Sequence, residues 1–316
     1  MNNVGIGKVY YDASGVISFL TSLASDRSYV FRGYGKQSEL LPNIIREKDW
    51  RNCEIELLSD FERYGLQYFS ANNPIDFMSY AQHYGLPTRL LDFTYNPFIA
   101  LSFALYMPKS TNYKFDDDKT FYYIRYCKIS EQNYFRVLPY YSDDQVFQAS
   151  SFTLQCRNMI HSLQRIISGL GESESEVGLK AIIQYFKKIY DETHPSDITT
   201  NTVEFKEFMD NAIENFANSK ILFVDANQCS QRIVMQQGLF MFPYTLQINR
   251  HKQIIENNTM LIKIHKDIRD ELLEYLDTIG INSFRLMPDI QSVCSTVKRK
   301  VTEKRQSKSE LFKKKS

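Results

Sequence analysis

The chain has 316 residues, is 43% hydrophobic and 24% charged, and carries a formal net charge of +1. That balance is ordinary for a soluble globular protein of one large domain or two smaller ones, and it excludes a strong charge preference for the chain as a whole. The charge is unevenly placed: residues 298–316 hold nine Lys/Arg against two Glu, so the remainder is mildly acidic. Five cysteines, at 53, 127, 156, 229 and 294, are too scattered for a CxxC pair or a zinc cluster and fit a reduced, cytoplasmic setting. No apolar stretch approaches the roughly 18 residues of a membrane span. No charged n-region followed by an apolar run marks a signal peptide.

In chain order, Val16, Ile17, Leu20 and Leu23 predict a helix over 14–25, with Ser14 a candidate N-cap. Tyr29-Val30-Phe31 reads as a short strand ending on Arg32-Gly33, and 34–50 as irregular. A helix is expected over 54–69. Asn72-Asn73-Pro74 stops it and opens the next, which runs to about Tyr84. An apolar helix follows over 97–106, and a strand rich in aromatic and β-branched residues over 120–128. Residues 130–150 read as loop. Helical patterns at 152–170, 176–190 and 203–217 suggest a helical insertion at about 150–217. Strands are expected at 220–224, 238–242 and 259–264, then a helix over 267–279 capped by Gly280, a short strand at 281–287 and a last helix. Beyond about 298 the chain reads as a disordered basic tail. The pattern is mixed α+β, without the strict strand–helix alternation of a doubly wound sheet.

Polar chemistry concentrates at residues 80–106. Gln82, His83, Thr88, Arg89, Asp92 and Thr94 fall within thirteen residues of leucines and aromatics, and each buried polar group needs a partner. Two readings stay open. In one, His83 is a general base or nucleotide contact and its neighbours line a site. In the other, the group is scaffold, with Arg89 and Asp92 paired three residues apart. Arg32 is either a bidentate anion ligand, with Gly33 admitting a ligand to the backbone, or a structural arginine. Arg232, Gln236 and Gln237 precede an apolar strand, and their side chains either contact a ligand or mark a turn. GxGxxG, Walker A, HExxH and GxSxG patterns are absent.

These pieces together resemble the FRG domain family. The resemblance rests on Phe31-Arg32-Gly33, on Leu41-Pro42 with Arg46, on the run from Ala81-Gln82-His83 through Thr88-Arg89 to Asp92-Phe93-Thr94, on Asn96-Pro97, and on Arg232 to Phe240. It spans roughly residues 28–290, with the 150–217 region as an insertion. The resemblance implies a fold similar to the ADP-ribosyltransferases, with short, mostly antiparallel strands in two small sheets around a cleft that binds NAD. It places Arg32, His83, Asp92 and Gln236 in catalysis. It places Arg32, Gly33, Gln82, Thr88, Arg89, Thr94 and Phe240 in NAD binding. The chain departs from the pattern in one respect: Gln236 stands where the catalytic glutamate is expected, so another carboxylate, Asp92 first, is the candidate.

What the resemblance implies is a bacterial or phage-related toxin or defence effector. It would cleave the nicotinamide–ribose bond of NAD and pass ADP-ribose to water, protein or nucleic acid, under the control of an antitoxin or other regulatory partner. Two alternatives remain from other classes. One is a nucleic-acid-binding protein or nuclease using the basic tail. The other is a nucleotide sensor without catalysis.

Overall fold

In a computed structural model of the protein, the described residues are 7–46, 48–65, 67–68, 74–106, 120–129, 134–136, 221–225, 231–243 and 246–286. The expected insertion at 150–217 and the basic tail lie outside them.

The strands are β1 (Lys8–Tyr10), β2 (Tyr29–Tyr34), β3 (Leu91–Thr94), β4 (Phe121–Lys128), β5 (Tyr134–Arg136), β6 (Phe223–Asp225), β7 (Gly238–Met241) and β8 (Met260–His265). They join one sheet in the order β1-β8-β4-β2-β3-β7-β6-β5, in place of the two small sheets expected. Pairing is mostly antiparallel, as expected. The exceptions are β1 with β8 and β5 with β6, which run parallel.

One joint in this sheet is narrow. Strands β2 and β3 share a single paired position, Phe31 opposite Thr94, whereas β2 and β4 pair over six residues. The sheet therefore consists of two well-laddered halves linked by one rung.

On one face, α1 (Ala13–Ala24), α5 (Pro97–Leu105) and α8 (Arg269–Thr278) bury Val16, Leu20, Leu101, Leu105, Leu272 and Leu276 against Phe31, Ile124 and Ile262. Burial of such side chains supplies roughly 1.5–3 kcal/mol each. The opposite face spans both halves: Val30, Tyr34, Leu91, Phe93, Phe223 and Leu239 pack with Ile255 of α7 (Ile248–Asn258). Helices α2 (Asn43–Arg46), α3 (Glu54–Gly65), α4 (Pro74–His83), α6 (Gln231–Gln236) and α9 (Ser283–Leu286) complete the described helices, with short 3-10 turns at Gln37–Leu40 and Lys266–Ile268.

Several local expectations hold for stated reasons. Asn96 caps α5 by accepting from the amides of Phe98 and Ile99, and Pro97 starts the helix where its missing N–H costs nothing. Gly280 takes φ +76 just past α8, and the Ile281 amide reaches back to the carbonyl of Leu276.

Others are corrected. The cap of α1 is Asp12, not Ser14; its side chain accepts from the Gly15 amide at 2.6 Å. Strand β2 continues through Arg32-Gly33 to Tyr34. Within the strand expected at 281–287, Ser283–Leu286 form a short helix instead, and the Asn282 side chain accepts from the Arg285 amide and closes its first turn.

Candidate functional site

The cleft opens where β2 and β3 part. Its volume is about 470 Å³, in the range that holds a drug-sized ligand, and its walls come from the β2–β3 joint, α4, α5, α6 and the 37–46 segment. Of the expected site residues, Arg32, Gly33, Gln82, His83, Asp92, Thr94, Gln236 and Phe240 all line it. Thr88 and Arg89 do not.

Arg89 is 1% exposed and faces inward. Its fork grips Glu54 of α3, with Nε to Oε1 at 2.7 Å and Nη2 to Oε2 at 2.5 Å, while Nη1 donates to the Pro243 carbonyl at 3.1 Å. The expected Arg89–Asp92 pair is therefore not formed. A buried guanidinium needs a bidentate carboxylate, and Glu54 supplies one thirty-five residues upstream.

Asp92 takes a different partner. Thr88 Oγ1 donates to Gln82 Oε1, and Gln82 Nε2 donates to Asp92 Oδ1 at 2.7 Å. The hydroxyl of Thr88 also accepts from the Leu90 amide at 3.2 Å. This relay fixes an exposed carboxylate at the cleft wall.

Arg32 is 9% exposed and sits in the joint. Nη1 donates to the main-chain carbonyl of Asp92 at 2.6 Å, and Nη2 to that of Glu39 at 2.5 Å. Burial lowers its pKa to about 10, with nearby Arg46 acting the same way against the opposing pull of Asp92; the side chain stays charged at neutral pH. Its two terminal nitrogens thus tie β2 to β3 and to the 37–40 turn. Gly33 is required by packing: a Cβ there would lie 1.6 Å from the Ala100 carbonyl oxygen of α5.

Gln236 is anchored rather than projecting, since its amide donates to the Leu286 carbonyl at 3.0 Å. Its own carbonyl accepts from Thr94 at 2.7 Å. His83 is held below its ordinary pKa by burial and then by the charge of Arg232, so it is neutral at pH 7.

Sequence reasoning did not single out Glu39, Ser79, Ser102, Phe103 or Tyr106 as cleft residues. Ser79 had a signal: it precedes Gln82 and His83 by three and four residues, on the same face of α4. Six buried polar atoms with no hydrogen-bond partner among the described residues surround this one cleft. They are Arg32 Nε, Glu39 Oε1, Arg46 Nε, Ser79 Oγ, His83 Nδ1 and Ser102 Oγ. Folded proteins leave few such atoms, and these six converge on one cavity.

Among the described residues no group of three His, Cys, Asp or Glu is placed to hold a metal ion, and no helix is long and apolar enough to cross a membrane. No curated protein and no solved structure matches the chain. The family model described as the FRG domain matches residues 27–113, which include β2, α2, α4, β3 and α5 but not the Arg232–Phe240 wall. Residues 27–113 of this chain are an FRG domain.

Proposed function

We propose that the cleft binds an NAD-type dinucleotide and breaks its nicotinamide–ribose bond, as an ADP-ribosyltransferase or NAD glycohydrolase. The observation that supports this best is the ring of six orphaned polar atoms around one cavity, together with guanidiniums from β2, α2 and α6. A dinucleotide brings phosphates for guanidinium, hydroxyl and imidazole donors, ribose hydroxyls for the remaining polar groups, and flat rings for Phe103 and Phe240.

The chemistry follows from the carboxylate that the Thr88–Gln82 relay holds. Heterolysis of the glycosidic bond leaves its electron pair on the nicotinamide nitrogen and positive charge on the ribose. Asp92 would stabilise that oxocarbenium-like transition state. The water or acceptor that captures it gives up its proton to the same carboxylate once the positive charge is gone. The anchored Gln236 has no part in charge stabilisation on this reading. Such turnover consumes a central cofactor or modifies a target, which fits a toxin or defence effector held in check by a partner.

The test is nicotinamide release from labelled NAD by the purified chain, with and without cell lysate. Release is expected, and Asp92→Asn should lower it by about 100-fold or more. Tight NAD binding in calorimetry without product would instead favour a nucleotide sensor. Neither binding nor product would remove the dinucleotide reading.

A further inference from the structure

The three guanidiniums of the cleft are not equally available. Arg32 has committed both terminal nitrogens to main-chain carbonyls. Arg46 donates to the side chain of Asn43. Arg232, half-buried on α6, makes no hydrogen bond or ion pair among the described residues, so its whole fork is uncommitted.

The α4 wall presents two further unspent groups. The hydroxyl of Ser79, on a residue 2% exposed, has no hydrogen-bond partner among the described residues. Nδ1 of His83, one turn further along the same face, is also buried and has no hydrogen-bond partner among the described residues. The imidazole is close enough to Arg232 to be depressed by its charge. Each cleft carboxylate has one oxygen engaged: Asp92 Oδ1 with Gln82, and Glu39 Oε2 with the amides of Gly35 and Lys36 at 2.9 and 3.3 Å.

We propose that Ser79, His83 and Arg232 form an anion subsite that takes a phosphate group of the ligand. The planar fork of Arg232 matches two phosphate oxygens, while the serine hydroxyl and an imidazole N–H supply the remaining donors. On the dinucleotide reading given above, on which this assignment builds, the subsite holds the pyrophosphate. Arg32 is left as the tie between the two halves of the sheet. This reverses the division of labour that the family resemblance implies for Arg32.

The test uses the full chain and inorganic pyrophosphate, followed by calorimetry and by NMR titration of the His83 ring. Pyrophosphate should bind the native chain. Arg232→Gln should weaken binding by about 10-fold or more, and Ser79→Ala by a few-fold. The unfolding midpoint of Arg232→Gln should match that of the native chain, because the replaced group has no partner to lose. Bound pyrophosphate should raise the pKa of His83 in the native chain and not in Arg232→Gln.

No binding up to about 10 mM, or equal binding by Arg232→Gln, overturns the subsite. If pyrophosphate binds through Arg232 while NAD is neither bound nor cleaved, the subsite stands and the dinucleotide reading fails. If NAD binds equally well to Arg232→Gln, the subsite fails and the dinucleotide reading survives.

Discussion

Arg32 donates to the main-chain carbonyl of Asp92 at 2.6 Å, across the gap where β2 and β3 no longer pair. The guanidinium takes the place of a ladder hydrogen bond that the diverging strands cannot make. Arg32→Lys keeps the charge but loses the planar fork, so the Asp92 and Glu39 carbonyls cannot both be satisfied. We expect a loss of roughly 1–3 kcal/mol for each carbonyl left without a donor, read from the midpoint of urea unfolding. An unchanged midpoint would show that the tie contributes nothing to the joint.

Gly33→Ala should be among the most disruptive single substitutions in the sheet. The added methyl meets main-chain atoms of α5 rather than a side chain that can turn aside. A loss of about 3 kcal/mol or more is expected in thermal unfolding. Gly35→Ala is the control: its Cβ finds nothing nearer than the Ala104 carbonyl oxygen at 3.3 Å, and it should cost about 1 kcal/mol or less.

Glu54→Ala strands a guanidinium that is 1% exposed, and should cost about 3–5 kcal/mol in chemical denaturation. The double variant Glu54→Leu/Arg89→Met should be less destabilised than Glu54→Ala, since it buries no unpaired charge. Equal losses in the two would argue that the pair is not the source.

His251, 1% exposed on α7, hydrogen-bonds the Leu40 carbonyl at 2.9 Å, and burial lowers its pKa to about 4. Its folded value lies below the ordinary 6.5, so the neutral form is favoured by folding. The stabilisation is complete above about pH 6.5 and is lost as pH falls toward 4, up to about 3 kcal/mol. Unfolding free energy measured between pH 7 and 4 should fall along this curve. In His251→Gln the curve should be flatter.

How far the sequence disclosed this molecule depended on whether a signal was local. Helix α5 was legible because its cap, its proline and its apolar run are adjacent. Of the polar residues crowded between Gln82 and Thr94, Gln82, His83, Asp92 and Thr94 line one cleft with Arg32 and Gln236, while Thr88 and Arg89 do not. The partner of Arg89 was not legible: Glu54 lies on another helix, and Asp92 was nearer in sequence. Helix α7 escaped notice because it is mostly polar, and only His251 and Ile255 along it are fully buried. Helix α6 is not legible as a helix, because six residues give too short a window for helical periodicity. The one-rung joint leaves no trace in local pattern, since strand order and register arise from contacts far apart in the chain.

The glycine at position 33 also sets the width of the cleft. With no side chain there, α5 rests on the strand at main-chain contact distance. Phe103 and Tyr106, carried on and just beyond that helix, reach the cavity at the depth this contact sets. Any larger residue would lift the helix and carry that wall outward. The smallest residue of the motif thus calibrates the width of a cavity whose polar groups are supplied by other residues.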